Sequence, residues 1–197
     1  MTRLFLGILL MLMVSGCVTD LGAPLHSEED TPILSSELDE AHLTFQEIDE
    51  QSIVVGYPAG WAINGGEVMV YIAPDENELP WGEDYSLTNP RFYLYAKGSY
   101  TNRSNRRTHI PQSAAAVLAS IPINMNGKVL QPITSVDVAG RDGATYLVGN
   151  DFRHIYTVVV RVTPHKAVVL TAEGPAEESE EMQSILNAMA LNVRPIE

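Results

Sequence analysis

The chain has 197 residues and a single cysteine, Cys17. It can form no internal disulfide, so whatever it folds into is held by its core alone. The position of that cysteine is more informative than its number. It follows one basic residue, Arg3, an apolar run of eleven residues from Leu4 to Val14, and the small pair Ser15-Gly16. Such a run is too short for a spanning helix, which needs roughly 20 apolar residues. A positive start, an apolar stretch of about 7–15 residues and small residues at the end make up a secretory signal.

Val14-Ser15-Gly16-Cys17 resembles the lipobox of bacterial lipoproteins. The resemblance implies cleavage after Gly16, so that 1–16 is removed, and lipidation of Cys17. One acyl chain binds a bilayer only marginally, at about 0.8 kcal/mol per buried CH₂, and stable anchoring takes two or more. Bacterial lipoproteins carry a diacylglyceryl group and often a third chain. Residue 18 is Val, where Asp would imply retention in the inner membrane. The implied location is the cell envelope. In a host with two membranes this is the outer one, with the domain facing the periplasm; otherwise it is the outer face of the cell membrane.

Residues 17–41 read as a lipidated cysteine followed by a disordered acidic tether. Positions 18–41 hold seven acids, no Lys or Arg, and two prolines, Pro24 and Pro32. Low hydrophobicity with charge of one sign argues against a packed core. A flexible chain of that length reaches roughly 25–30 Å. The folded part is then expected over 42–197, a normal size for one domain. The chain carries 25 acids against 12 bases, a net charge of −13. That balance argues against nucleic acid as a partner, and the domain is expected to be monomeric.

Strands are expected at 43–48, 52–57, 67–72, 91–96, 133–138, 144–148, 155–163 and 166–173, from β-rich runs bounded by turn residues. The turn between 133–138 and 144–148 is expected over Ala139-Gly140-Arg141-Asp142-Gly143, where Asp142-Gly143 is a strong hairpin signal, since Gly takes positive φ without a Cβ clash. Tyr156, Val158, Val160 and Val162 share one face while Thr157 and Arg161 face the other way, the pattern of a half-buried antiparallel strand. Pro111 is placed at the first turn of a helix running through 113–119. Gly174-Pro175 is placed at the start of a second. There Met182, Ile185, Leu186 and Met189 form one apolar face, and early glutamates complement the helix dipole.

The order of these elements, with Tyr57-Pro58-Ala59-Gly60-Trp61 after the second strand and Thr171-Ala172-Glu173-Gly174 before the last helix, resembles the PsbP-like family. The resemblance spans 42–192. It implies an α+β fold, an antiparallel β-sheet with helices packed on its faces. The family includes the PsbP subunit of photosystem II and many small bacterial lipoproteins. It is not known for catalysis; members assist assembly of membrane complexes or bind partner proteins.

Direct signs of chemistry are weak. The chain has no G-x-S-x-G, H-E-x-x-H, C-x-x-C or P-loop. The five histidines, His26, His42, His109, His154 and His165, are scattered. Asp151 precedes His154 by three, a spacing that is not diagnostic of a metal site. No catalytic residue, metal site or cofactor is assigned. Arg91, Lys97, Arg103, Arg106 and Arg107 concentrate positive charge near Tyr93, Tyr95 and Tyr100. Together with Trp81 they are the candidate partner-binding patch. Two readings follow. One is a non-enzymatic interaction or assembly factor, bound to the membrane through Cys17 and to an envelope protein through an exposed apolar or basic patch. The other is a module that binds a small ligand or metal ion in a pocket.

Overall fold

The computed structural model describes residues 31–80, 89–98, 100–101, 107–122 and 127–196. The chain from Thr31 onward forms one compact unit. Its strands, in order, are β1 (Leu43–Ile48), β2 (Ile53–Pro58), β3 (Ala62–Asn64), β4 (Val70–Ala73), β5 (Arg91–Gly98), β6 (Tyr100–Thr101) and β7 (Arg107–Thr108). Helix α1 (Ala114–Ala119) follows, then β8 (Lys128–Asp137), β9 (Asp142–Gly149), β10 (Arg153–Thr163) and β11 (Lys166–Pro175), helix α2 (Ser179–Asn192) and β12 (Arg194–Pro195). Seven strands make the main sheet, in the order β3-β4-β5-β11-β10-β9-β8, with every pairing antiparallel. A second sheet, β1-β2-β12, lies beyond α2, and β6-β7 form a small ribbon. The class is α+β, an antiparallel sheet with a helix on each face.

Helix α2 is sandwiched between β10-β11 of the main sheet and β2 of the smaller one. Met182, Leu186 and Met189, on one stripe, meet Val158, Val160, Val168 and Leu170 from the main sheet and Ile53 and Val55 from β2. All of these are fully or almost fully buried. The last turn of α2 carries no base of its own. Instead Arg141, in the β8-β9 turn, donates from Nη2 to the carbonyls of Ala190 (3.1 Å) and Leu191 (2.9 Å), and from Nη1 to that of Val193. Carbonyls that a helix end leaves unpaired are thus capped by a cation, which also complements the dipole.

On the opposite face α1 packs over β8, β9 and β10. Ala114, Val117 and Leu118 meet Ala144, Val159, Ala167 and Val169. This helix has only six residues and covers only part of the sheet. Its N-cap is Ser113, whose Oγ accepts from the Ala116 amide at 3.2 Å. Pro111 lies before the cap, and its carbonyl accepts instead from Arg161 on β10. The expected helix start at Pro111 is therefore displaced by three residues, to Ala114.

Other expectations shift for equally local reasons. Strand β10 is buried on both sides along most of its length, because α1 covers the face that alternation alone assigned to solvent. The β8-β9 turn falls on Ala139-Gly140, within the expected 139–143, while Asp142-Gly143 already belongs to β9. Both turn residues have positive φ, 53° and 77°, and Val138 and Arg141 exchange two backbone hydrogen bonds across them. Asp137 Oδ1 accepts from the Gly140 amide at 2.7 Å and fixes the turn there. Strand β4 begins at Val70 rather than Glu67. The carbonyls of Gly66 and Glu67 are taken by the buried side chain of Gln51, at 3.0 and 2.7 Å. Gln51 also accepts from the Ala96 amide of β5 at 2.8 Å. Gly174 and Pro175 still belong to β11, and a 3₁₀ turn, Ala176–Glu178, intervenes before α2.

The folded unit also begins earlier than composition suggests. The Leu34 amide donates to the Asp137 carbonyl and the Asp137 amide to that of Pro32, both at 2.8 Å, which joins this segment to the outer edge of β8. Leu34 is buried in the α2-side core. Ser36 Oγ donates to the Ser184 carbonyl (2.8 Å), and Asn187 Nδ2 to that of Ser35 (3.0 Å). Residues 32–36 are therefore part of the domain, although they lie within the acidic stretch expected to be tether. Residues 1–30, with Gly16 and Cys17, lie outside the described residues.

Candidate functional site

Because α1 is short, the sheet face beside it is left partly open. The antiparallel register aligns four hydroxyl side chains across four strands there: Tyr93 on β5, Thr171 on β11, Thr157 on β10 and Tyr146 on β9. The next row toward α1, Tyr95, Val169, Val159 and Ala144, belongs to the α1-side core. A cleft of about 430 Å³ lies over this region. Val68, Met69, Ile121 and Pro122 form its walls; Tyr93, Tyr95, Thr157 and Thr171 are at its base.

The base of the cleft is polar but uncharged. Thr157 and Thr171 are 1% and 5% exposed, and their hydroxyl oxygens are 3.5 Å apart, a long contact for an O–H···O bond. Burial pushes the Tyr93 phenol up to about 12, with the nearby Glu173 carboxylate adding to the shift. Burial also raises Tyr95. Both phenols are neutral donors at any ordinary pH. The one carboxylate of the cleft, Glu173, is paired with Arg153 at 2.8 Å and Arg91 at 3.3 Å.

A second feature lies at one end of the sheet. Phe152, in the β9-β10 turn, is 84% exposed, and Val129 and Leu130 on edge strand β8 are also exposed. Phe152 and Leu130 line a hollow of about 620 Å³ together with Lys128, Asp151 and His154. Asp151 and His154 thus reach the same hollow, but no group of three or more His, Cys, Asp or Glu positioned to hold a metal ion occurs among the described residues. A broad, open depression runs between residues 35–38 and α2. It is shallow, and its lining includes Glu37, Glu177, Glu178, Glu180 and Glu181 but no Lys or Arg.

The basic residues singled out in the sequence are placed differently. Arg91 and Lys97 sit at opposite ends of β5, roughly 20 Å apart at the rise of an extended strand. Arg91 is tied to Glu173, and Lys97 Nζ donates to Ser120 Oγ at 2.8 Å, pinning β5 to the end of α1. Arg107 is in β7, paired with Thr101, and its side chain is outside the described set. Trp81, Arg103 and Arg106 lie outside the described residues. The motif residues Pro58, Gly60 and Trp61 have structural places. Pro58 ends β2, Gly60 turns the chain with φ of 84°, and Trp61 packs edge-on against Phe92 at 5.3 Å.

Sequence reading missed the Thr157-Thr171 pair and Phe152. A detectable signal existed for the threonines: Thr157 lies between Ile155 and Val159 on its face of a Val-rich strand, and Thr171 follows Val169 on its own.

No known protein-family model matches the chain. A crystal structure from Bacteroides thetaiotaomicron VPI-5482 is similar with a TM-score of 0.43 and 10% identity, over 83% of this chain and 49% of that one. This chain therefore spans about half the length of that protein. The solution structure of cyanobacterial PsbP (CyanoP) from Synechocystis sp. PCC 6803 is similar with a TM-score of 0.47 and 13% identity, over 88% of this chain and 99% of that one. Similarity at this level speaks to neither activity nor partners.

Proposed function

We propose that this chain is an exported lipoprotein with a PsbP-like domain that works without catalysis, as an interaction or assembly factor for an envelope or membrane complex. Cleavage after Gly16 and lipid on Cys17 attach it to the membrane, and the domain from Thr31 onward meets the partner. The observation that carries the interaction reading is that exposed Phe152 and Leu130 line one hollow, with exposed Val129 next to Leu130 on β8. Exposed apolar side chains gathered at one place mark interaction surfaces, whereas single ones do not. The lipobox sequence supports the anchor, and the motif resemblance supports the accessory role.

Two measurements test the two halves separately. Palmitate labelling in the native host is expected to mark the wild-type chain and not Cys17→Ser; equal labelling of both contradicts the anchor. Phe152→Asp with Leu130→Asp should leave thermal unfolding unchanged, since both side chains are exposed. The pair should also abolish recovery of a stoichiometric protein from gently solubilised membranes. Unchanged recovery contradicts this surface. The cleft beside α1 favours a second reading, a small-ligand site on the same domain.

A further inference from the structure

We propose that the cleft between α1 and the Tyr93-Thr171-Thr157 row binds a small uncharged ring compound that carries a polar group on one edge. The proposal is independent of the Phe152 surface and of the lipid anchor.

Three observations define the ligand. Volume comes first: about 430 Å³ lies within the range of small-molecule sites, roughly 300–1,000 Å³, and toward its lower end. Charge is next. Among the described residues, the one ionised side chain lining the cleft, Glu173, is held by two guanidinium groups and offers no free charge to an ionic ligand. Bringing a charged group into such a place without a partner is costly. The third is the pattern of polar and apolar surface. Val68, Met69, Ile121, Pro122 and the tyrosine rings offer flat apolar walls. Thr157 and Thr171 present hydroxyls in an otherwise apolar part of β10 and β11.

That hydroxyl pair is the most telling feature. The two threonines are almost fully buried and share a long contact of 3.5 Å, and Thr171 also hydrogen-bonds the Tyr93 phenol. Each hydroxyl has one donor and two acceptor positions, so the pair has spare capacity. A ligand oxygen at the base of the cleft would use it, with its ring against the apolar walls. The Tyr93 phenol, held neutral by burial, is at the same register and adds a further donor.

The test uses the purified full-length chain and 2-naphthol, a neutral two-ring probe with one hydroxyl, followed by equilibrium dialysis. Saturable binding at one site per chain is expected. Thr157→Val with Thr171→Val should weaken it about tenfold, the change that a lost hydrogen bond or two produces, and Tyr93→Phe should weaken it by a smaller factor. Neither variant enlarges or fills the cleft, and wild-type thermal unfolding confirms that each is folded. 2-Naphthoate, the same ring with a carboxylate, should bind at least tenfold more weakly. N-acetylglucosamine, neutral but polar on both faces, should not compete. The proposal is overturned by absence of saturable naphthol binding, by equal binding to the wild type and both variants, or by a preference for the carboxylate or the sugar.

Discussion

The two faces of the main sheet are built on the same strands but finished differently. The α2 face is covered by a helix of 14 residues and, beyond it, by a second sheet; the α1 face is covered by a helix of six. On the first, side chains pointing inward from β10 and β11 are Tyr, Val, Leu and Ala, and they are buried throughout. On the second, the same strands place Val159 and Val169 under α1 and then switch to Thr157 and Thr171, where the helix has ended. Each face has its own arginine lock. Arg141 caps the end of α2, and Arg161 holds the Pro111 carbonyl ahead of α1. The difference separates two tasks. One face accounts for most of the apolar burial, and the other keeps a recess that a longer helix would fill.

The comparison is broken most directly by truncating matched leucines. Leu186→Ala, in the middle of the α2 core, should cost about 4 kcal/mol, near the upper end for such cavities. Leu118→Ala on α1 should cost about 2 kcal/mol, because the neighbouring cleft lets the site relax. Urea unfolding of both variants checks the order, and equal losses contradict the division. The arginine locks come next. Arg141→Ala removes four bonds to carbonyls and should cost about 2 kcal/mol, against about 1 kcal/mol for Arg161→Ala.

An alkaline titration sharpens the contrast further. Tyr93 on the open face and Tyr156 on the sealed face are both pushed up to about 12, each mainly by burial. Between pH 10 and 12 the unfolded chain loses these protons and the folded chain keeps them. Stability present below pH 10 is therefore lost as pH rises through that window. Tyr156→Phe and Tyr93→Phe should each flatten the fall, measured as the urea midpoint at pH 9 and 11. An unchanged slope in both variants contradicts the assignment. The smallest effect is expected at the β8-β9 turn. Ala139 has φ of 53°, a region disfavoured for alanine. Ala139→Asn should raise stability by about 0.5 kcal/mol, read as a small increase in melting temperature.

Much of this fold is legible in the sequence, and the illegible parts have physical causes. Strands β1, β2, β5, β10 and β11 and helix α2 follow from period and composition, because one face of each is apolar and the other signals agree. The β8-β9 turn misleads because Asp142-Gly143 is a sound hairpin signal outcompeted by Asp137, whose side chain binds the Gly140 amide. The start of the domain misleads because residues 32–36 dock through backbone groups and the single buried Leu34, which leave little trace in hydropathy. The cleft is the hardest to foresee. Tyr93, Thr157 and Thr171 meet only through the register of three strands, and the recess exists because α1 stops after six residues. Phe152 reads as a turn aromatic until its exposure is seen beside Leu130.

The interaction reading is tested most directly by photocrosslinking in the native host, with a photoreactive amino acid at position 152 of the full chain and another at exposed Glu47 on the second sheet as control. A discrete crosslinked protein at position 152, absent at position 47, is the result this account predicts. No adduct at 152, or the same adducts at both positions, would contradict it.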